Sequence, residues 1–232
     1  MYFSDRVVAL HMPKTTFINL SPERQREIID VAYKEFILND YKSASLSNII
    51  KQLSLAKGSF YRYFNSKKEL YLFLLDEATK ERFNTLEKRL SDPKTDLFTL
   101  LLDNWHDKIE FEKNHPLESA FQYRVFRERY NEELGDIEIT LKKELTHKVT
   151  ELIKSRFQHS IRNNIDPYII AFIIVQVQVG LFDYFTLRYN DDLLENIRQG
   201  KSLYTIHQKD IEHIIESFIT ILKNGIAYNS AS

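Results

Sequence analysis

The chain has 232 residues, room for one large domain or a small module joined to a larger one, with enough apolar surface for a real core. Hydrophobic residues make up 43% and charged residues 28%, which excludes wholesale disorder, and 5 Gly and 5 Pro are too few turn formers for a many-stranded sandwich or barrel. No Cys is present, so disulfides and thiolate metal or nucleophile sites are excluded, and a formal net charge of −1 leaves any affinity for nucleic acid to the distribution of the charges.

Residues 1–20 carry no sustained period and are left as an unassigned extension; Met12-Pro13-Lys14 has the form of an initiation site, which would place the first eleven residues upstream of the protein proper. Asp5 and Arg6 interrupt the one stretch resembling an export signal, and together with the missing Cys this leads to a cytoplasmic protein. Ser21-Pro22-Glu23 is a helix start, with a capping hydroxyl, Pro at the first helical position and an acid in the first turn. Ile28, Ile29, Ala32, Phe36 and Ile37 then recur at helical spacing, so the first helix is predicted to run to about Leu38, with Asn39-Asp40-Tyr41 as its turn.

Ser45 caps a short second helix carrying Leu46, Ile49, Ile50 and Leu53, Ser54-Leu55-Ala56 is a tight turn, and Lys57 to Phe64 makes a third helix. Asn65-Ser66 caps a long fourth helix from Lys67 through Leu86. Two short helices about a three-residue turn, backed by a preceding helix, are the pattern of a helix-turn-helix, whose second helix enters the DNA major groove. Further helices are predicted at about 96–112, 117–131, 136–159, 166–189, 191–198 and 208–223. Tyr168 to Phe182, the most apolar segment, is shorter than the ~18–20 residues of a membrane span and reads as a buried helix. The expected fold is all-α, with a helix-turn-helix domain at 21–67 joined through the fourth helix to a larger helical domain at 68–232.

Between Tyr41 and Lys68 stand Lys42, Lys51, Lys57, Arg62, Lys67 and Lys68, and no Asp or Glu. The neutral overall balance hides this cationic window, which coincides with the helix-turn-helix and suits a phosphate backbone. A solvated basic surface without a partner is the alternative.

The string from Ile49 to Leu70, Ile-Ile-Lys-Gln-Leu-Ser-Leu-Ala-Lys-Gly-Ser-Phe-Tyr-Arg-Tyr-Phe-Asn-Ser-Lys-Lys-Glu-Leu, resembles the N-terminal signature of TetR/AcrR transcriptional regulators. The resemblance extends over roughly Pro22 to Leu74. Departures from the family pattern are Asp40 for the usual Gly of the first turn, Ile50 for the helix-two Ala, Leu53-Ser54 for Ala-Gly and Ala56 for the Ser that opens the recognition helix. Asp tolerates a left-handed turn moderately well.

The resemblance implies that Ser45 caps helix two beside a phosphate and that Lys57, Ser59 and Arg62 point toward base edges or nearby phosphates. It also implies that Gly58 lets the helix approach the groove, that Tyr61 and Tyr63 reach the sugar-phosphate backbone, and that Lys67 adds a cation at a helix N-terminus. Arg62 is open between a bidentate guanine contact and a phosphate clamp.

The last helix carries a stripe of Ile211, Ile214, Ile215, Phe218, Ile219 and Leu222, and the segment from Tyr168 is apolar nearly all round. The resemblance implies a homodimer through these two helices, with Ile173, Val177, Gly180, Ile211, Ile214, Ile215, Phe218 and Leu222 as candidates. A helix-turn-helix reading a palindrome also needs two copies about 34–36 Å apart.

Aromatics are dense in the larger domain, and most such residues are core. The resemblance gives some of them to a cavity for a small-molecule effector, with Trp105, Phe121, Tyr123, Phe126, Phe172, Gln176 and Phe185 as candidates and the effector's charge left open. The reading is thus a sequence-specific, DNA-binding regulator, a homodimeric repressor released from a palindromic operator by an effector, without cofactor, metal or membrane. The competing readings are a helical enzyme and a protein-binding helix-turn-helix module. For the enzyme, no His-Glu-x-x-His pair, Gly-rich phosphate loop or Gly-x-Ser-x-Gly elbow is present, and the spacing of Asp103 and His106 fits a surface hydrogen bond better than an acid–base pair.

Overall fold

Side-chain caps set the start of most helices. In the computed structural model, which describes residues 12–92 and 94–227, Ser21 Oγ accepts the Arg24 N–H at 3.3 Å, Ser45 Oγ that of Asn48 at 3.4 Å, Asp166 that of Tyr168 at 2.8 Å and Asp192 that of Glu195 at 2.8 Å. Each satisfies a donor that the first turn of a helix leaves free. The helices are α1 (Thr15–Ile18), α2 (Pro22–Leu38), α3 (Leu46–Gln52), α4 (Lys57–Phe60), α5 (Lys67–Leu90), α6 (Leu97–Asn114), α7 (Pro116–Val125), α8 (Ile137–Leu152), α9 (Pro167–Tyr189), α10 (Leu193–Arg198) and α11 (Gln208–Ile226). A wider turn at Ile153–Phe157 and a 3₁₀ turn at Gln158–Ser160 continue α8. Among the described residues the only β pairings are two isolated bridges, Asn131 with Gly135 and Ile161 with Ala227, so the described chain is all-α as expected. The proposed upstream extension at residues 1–11 lies outside the described residues.

The chain divides into two compact units. The first runs to Glu81 and takes in His115–Glu138; the second is built from Arg82–Asn114 and the chain from Ile139. In the first, α7 packs along α2. The fully buried Phe121 lies 5.2 Å from Tyr33, 6.2 Å from Phe36 and 5.0 Å from Tyr71, ring centre to ring centre. Tyr33 donates its hydroxyl to the Leu74 carbonyl at 2.9 Å, Gln122 donates to that of Ala78 at 2.5 Å, and Arg26 pairs with the buried Glu118 at 2.7 Å. Phe60, Phe64, Leu70 and Leu74 complete this core.

In the second unit, Leu97, Leu100 and Leu101 of α6 pack with Ile153, Phe157, Ile170, Ala171, Ile174 and Ile226. Arg89 bridges Asp107 and Asp103. Helix α9 has 23 residues and is long and apolar enough to cross a membrane; the helix that forms outruns the segment from Tyr168 to Phe182. Here its Ile170, Ala171, Ile174, Val175, Leu181, Phe182 and Phe185 are buried.

Three local readings change. The third helix, expected to reach Phe64, ends at Phe60. The helix expected to reach Asn131 ends at Val125, because Asn131 Oδ1 instead accepts the N–H groups of Glu133 and Leu134 at 3.1 and 2.8 Å and Gly135 turns the chain at φ +64°. The aperiodic residues before Ser21 contain α1, whose Phe17 is buried.

Phe121→Ala should lower the stability of the first unit by about 3–5 kcal/mol, the usual cost of deleting a buried ring. Chemical denaturation followed by circular dichroism would measure it.

Candidate nucleic-acid interface

The cationic window folds as α3, a turn and α4. Helix α3 buries Ile49, the turn buries Leu53, and Phe60 closes α4 against Phe64 with ring centres 5.9 Å apart. The turn requires a left-handed residue, which is Ser54 at φ +52°, in the place where the resembled family carries Gly. Asp40, expected to carry the left-handed turn, is not among the positive-φ residues. Its carboxylate instead accepts the Ser43 N–H at 2.8 Å, and the hydrogen bonds from Ser43 hold it below the usual carboxylate range.

Lys57 is the first residue of α4, and Gly58 is exposed with open space where a Cβ would stand. Ser59 is half-buried; Arg62 and Tyr61 are exposed, Tyr61 at 43%. Tyr63 is half-buried, its ring 6.1 Å from that of Phe17. Lys42, Lys51 and Lys68 are also exposed.

Lys67 points inward. Its Nζ donates to the carbonyls of Tyr41 at 2.7 Å and Ala44 at 3.1 Å and lies 4.5 Å from the centre of the Tyr41 ring. The loop before α3 is held from the other side by two acids that sequence reasoning passed over. Glu128 accepts the Tyr41 N–H on both oxygens at 3.1 Å, and burial pushes its carboxyl above the usual range. Glu35 accepts the Ser45 N–H at 2.8 Å. Glu35 precedes the apolar run Phe36-Ile37-Leu38 and Glu128 stands between Arg127 and Arg129; in either setting a long acidic side chain reads as surface.

The remaining candidates separate. Phe121, Tyr123 and Phe126 belong to the first unit, with Phe121 in its core and the Arg127 guanidinium 3.5 Å from the Tyr123 ring centre. Trp105, Phe172, Gln176 and Phe185 belong to the second. Trp105 and Phe185 are buried, while Phe172 is exposed and Gln176 half-buried on α9. Beside Trp105, Lys108 and Glu112 form a buried ion pair, with the ammonium 5.7 Å from the Trp105 ring centre and 4.9 Å from that of Phe182.

Of the candidates for self-association, Ile211, Ile214 and Ile215 are buried within their own unit, and Gly180 is half-buried. Ile173, Val177, Phe218 and Leu222 line a cavity of about 270 Å³ between α6, α9 and α11, together with Trp105 and the 70%-exposed Ile221.

A helix-turn-helix carried by an all-α chain, with basic residues and no acids across its two short helices, defines a DNA-binding protein class. The family model described as bacterial regulatory proteins, tetR family, matches residues 28–73. The uncharacterized HTH-type transcriptional regulator YhgD of Bacillus subtilis (strain 168) is 25% identical over 178 residues, covering 71% of this chain and 86% of YhgD. The crystal structure of a TetR family transcriptional regulator from Chloroflexus aurantiacus J-10-FL superposes with a TM-score of 0.68 at 28% identity, covering 94% of this chain and 100% of that one. SmeT, the repressor of the Stenotrophomonas maltophilia multidrug efflux pump SmeDEF, shares the fold with a TM-score of 0.64 at 12% identity, covering 88% of this chain and 91% of SmeT. Residues 28–73 thus match the tetR-family model, and the chain as a whole is similar in sequence and fold to TetR family transcriptional regulators.

Ser54→Gly should stabilise the protein by up to about 1 kcal/mol by relieving the left-handed backbone. Lys67→Met should destabilise it by about 1–3 kcal/mol by stripping two carbonyls of their donor. Urea titrations of the two variants would check both signs.

Proposed function

We propose that this regulator is a cytoplasmic homodimeric repressor that reads a palindromic operator through α4 and releases it when a small molecule occupies the second unit. The observation that carries the reading is the acid-free cationic window folded as a helix-turn-helix, with Arg62 and Tyr61 exposed beside an unobstructed Gly58. On this reading Arg62, Lys57 and Ser59 contact base edges or phosphates, Tyr61 and Tyr63 meet the backbone, Ser45 sits beside a phosphate, and Lys67 shapes the loop that presents them. The chain acts as a regulator and not as an enzyme. Residues 21–67 carry the DNA contacts, while the helices of 68–232 that form the second unit carry self-association and the effector.

Self-association is assigned to α9 and α11. Ile173 and Ile221 are exposed beside the groove lined by Val177, Phe218 and Leu222, an apolar face of the kind that a second copy covers. Effector binding is assigned to the surroundings of Trp105 and Phe185. Among the described residues, Glu112 Oε2 and the Tyr204 hydroxyl are buried without a hydrogen-bond partner, and Tyr204 stacks on Phe182 at 5.4 Å. A buried acceptor left open costs stability that a ligand's donor would restore, so the reading favours an apolar or aromatic molecule bearing a hydroxyl or amine. SmeT, which shares the fold, has been captured in a complex with triclosan, in keeping with a small-molecule effector here.

Selection from randomised duplexes at two salt concentrations should enrich a palindrome, with affinity falling steeply in salt. Arg62→Ala should weaken binding to it by at least about tenfold without lowering the thermal midpoint. Absence of any enriched sequence would reject the reading. Ile173→Glu should shift the protein to monomer in sedimentation; an unchanged mass would remove α9 from the interface.

A further inference from the structure

Helix α4 has a single turn, and a single turn fixes its backbone for too few hydrogen bonds to hold itself. Its first N–H groups are served locally, Ser59 donating to the Ala56 carbonyl at 2.8 Å. Beyond its end, the carbonyls of Tyr61, Arg62 and Tyr63 each meet a donor from the segment before α2. Lys14 donates its backbone N–H to Tyr63 at 2.9 Å and its ammonium to Tyr61 at 2.7 Å. Thr16 donates its hydroxyl to Arg62.

The segment itself is fixed. Pro13 is buried, and Phe17 is inserted between Phe64 and Phe73, 5.0 and 5.5 Å away by ring centres. Gln25 holds the far end by donating to the carbonyls of Ile18 and Leu20, both at 3.0 Å. Three consecutive carbonyls taken by one short, anchored arm are more than incidental packing, because they belong to three of the residues whose side chains are assigned to DNA.

We propose that residues 13–17 form a brace that sets the pose of α4 on DNA, with Lys14 and Thr16 as positioning residues for sequence recognition. The inference rests on the reading that Tyr61, Arg62 and Tyr63 face the duplex. The brace acts on the backbone from which these side chains project. Loosening it therefore affects contacts that depend on accurate placement, such as those to base edges, more than it affects attraction to phosphates. Lys14 also lies at the C-terminal end of the turn, where a cation is favoured by the helix dipole.

The test uses the full chain, the duplex enriched by selection and an unrelated duplex of equal length. Lys14→Met and Thr16→Val keep the side-chain bulk while removing the donors. Each should lower affinity for the enriched duplex about tenfold, leave affinity for the unrelated duplex nearly unchanged, and speed amide exchange at Arg62, Tyr63 and Phe64. The thermal midpoint should stay close to that of the parent, and Lys14→Arg should restore most of the affinity. Phe17→Leu, which keeps the buried plug filled, should act in the same direction more weakly.

Equal losses on both duplexes, with the salt slope reduced by about one, would mean that Lys14 is a phosphate contact and not a brace. Unchanged exchange and affinity would overturn the proposal as well. If the parent protein discriminates between no duplexes, the reading of α4 fails first and the brace with it, an outcome visible before any variant is made.

Discussion

A helix of four residues cannot keep its own shape in water, and α4 is such a helix. What gives it a fixed orientation is the set of groups around it. Phe60 and Phe64 bury one face. The left-handed Ser54 turns the chain sharply before it, with the Leu55 N–H returning to the Ile50 carbonyl at 3.0 Å. The arm from Lys14 receives it at the other end. Each of these devices acts on backbone or on buried rings, which leaves Gly58, Tyr61 and Arg62 free to face outward. A short helix held at both ends presents few residues to a groove, but presents them without the fraying that a longer, self-supporting helix would show at its termini.

The same economy governs the charges. Acids are absent from 41–68, yet the loop before α3 needs anions, since the N–H groups of Tyr41 and Ser45 are turned inward. They come from outside the window. Glu128 meets Tyr41 and Glu35 meets Ser45, both carboxylates buried and thereby kept away from the exposed cations. Lys67 is the counterpart, a cation of the window that is turned inward to two carbonyls. The exposed Lys42, Lys51, Arg62 and Lys68 therefore contribute to the outward field of the module, while Glu35 and Glu128 are occupied by backbone donors.

How much of this the sequence displayed depends on the range of the interaction. Starts such as Ser21-Pro22, Ser45, Asp166 and Asp192 are local, since cap and capped N–H lie two or three residues apart, and they were legible. So were α2, α5, α9 and α11, whose apolar spacing persists over several turns. Helix α1 was not, because one turn with one buried ring, Phe17, carries no period. The early end of α7 was not, because it depends on Asn131 accepting N–H groups in a turn that no apolar pattern announces. Among the aromatics, type alone could not separate those of the first unit from those of the second. Phe121 and Trp105 look alike in sequence, yet one fills a cluster with Tyr33, Phe36 and Tyr71 and the other lies beside the Lys108–Glu112 pair.

That separation bears on what counts as the DNA-binding module. The match to the family model ends at residue 73, but the compact unit around it includes α7 and the turn to Glu138. Residues 21–67 alone would leave Tyr33 and Phe36 without the Phe121 ring that covers them, Arg26 without Glu118, and the Tyr41 N–H without Glu128. They would also lose Phe73, against which Phe17 and Phe64 pack. Exposing several aromatic rings and a buried donor costs more than a short three-helix fragment recovers from its own caps. The segment that follows α6 is thus part of what keeps α3 and α4 in place, and the chain has to leave its second unit and return to it, through α7 and its turn, for the helix-turn-helix to be complete.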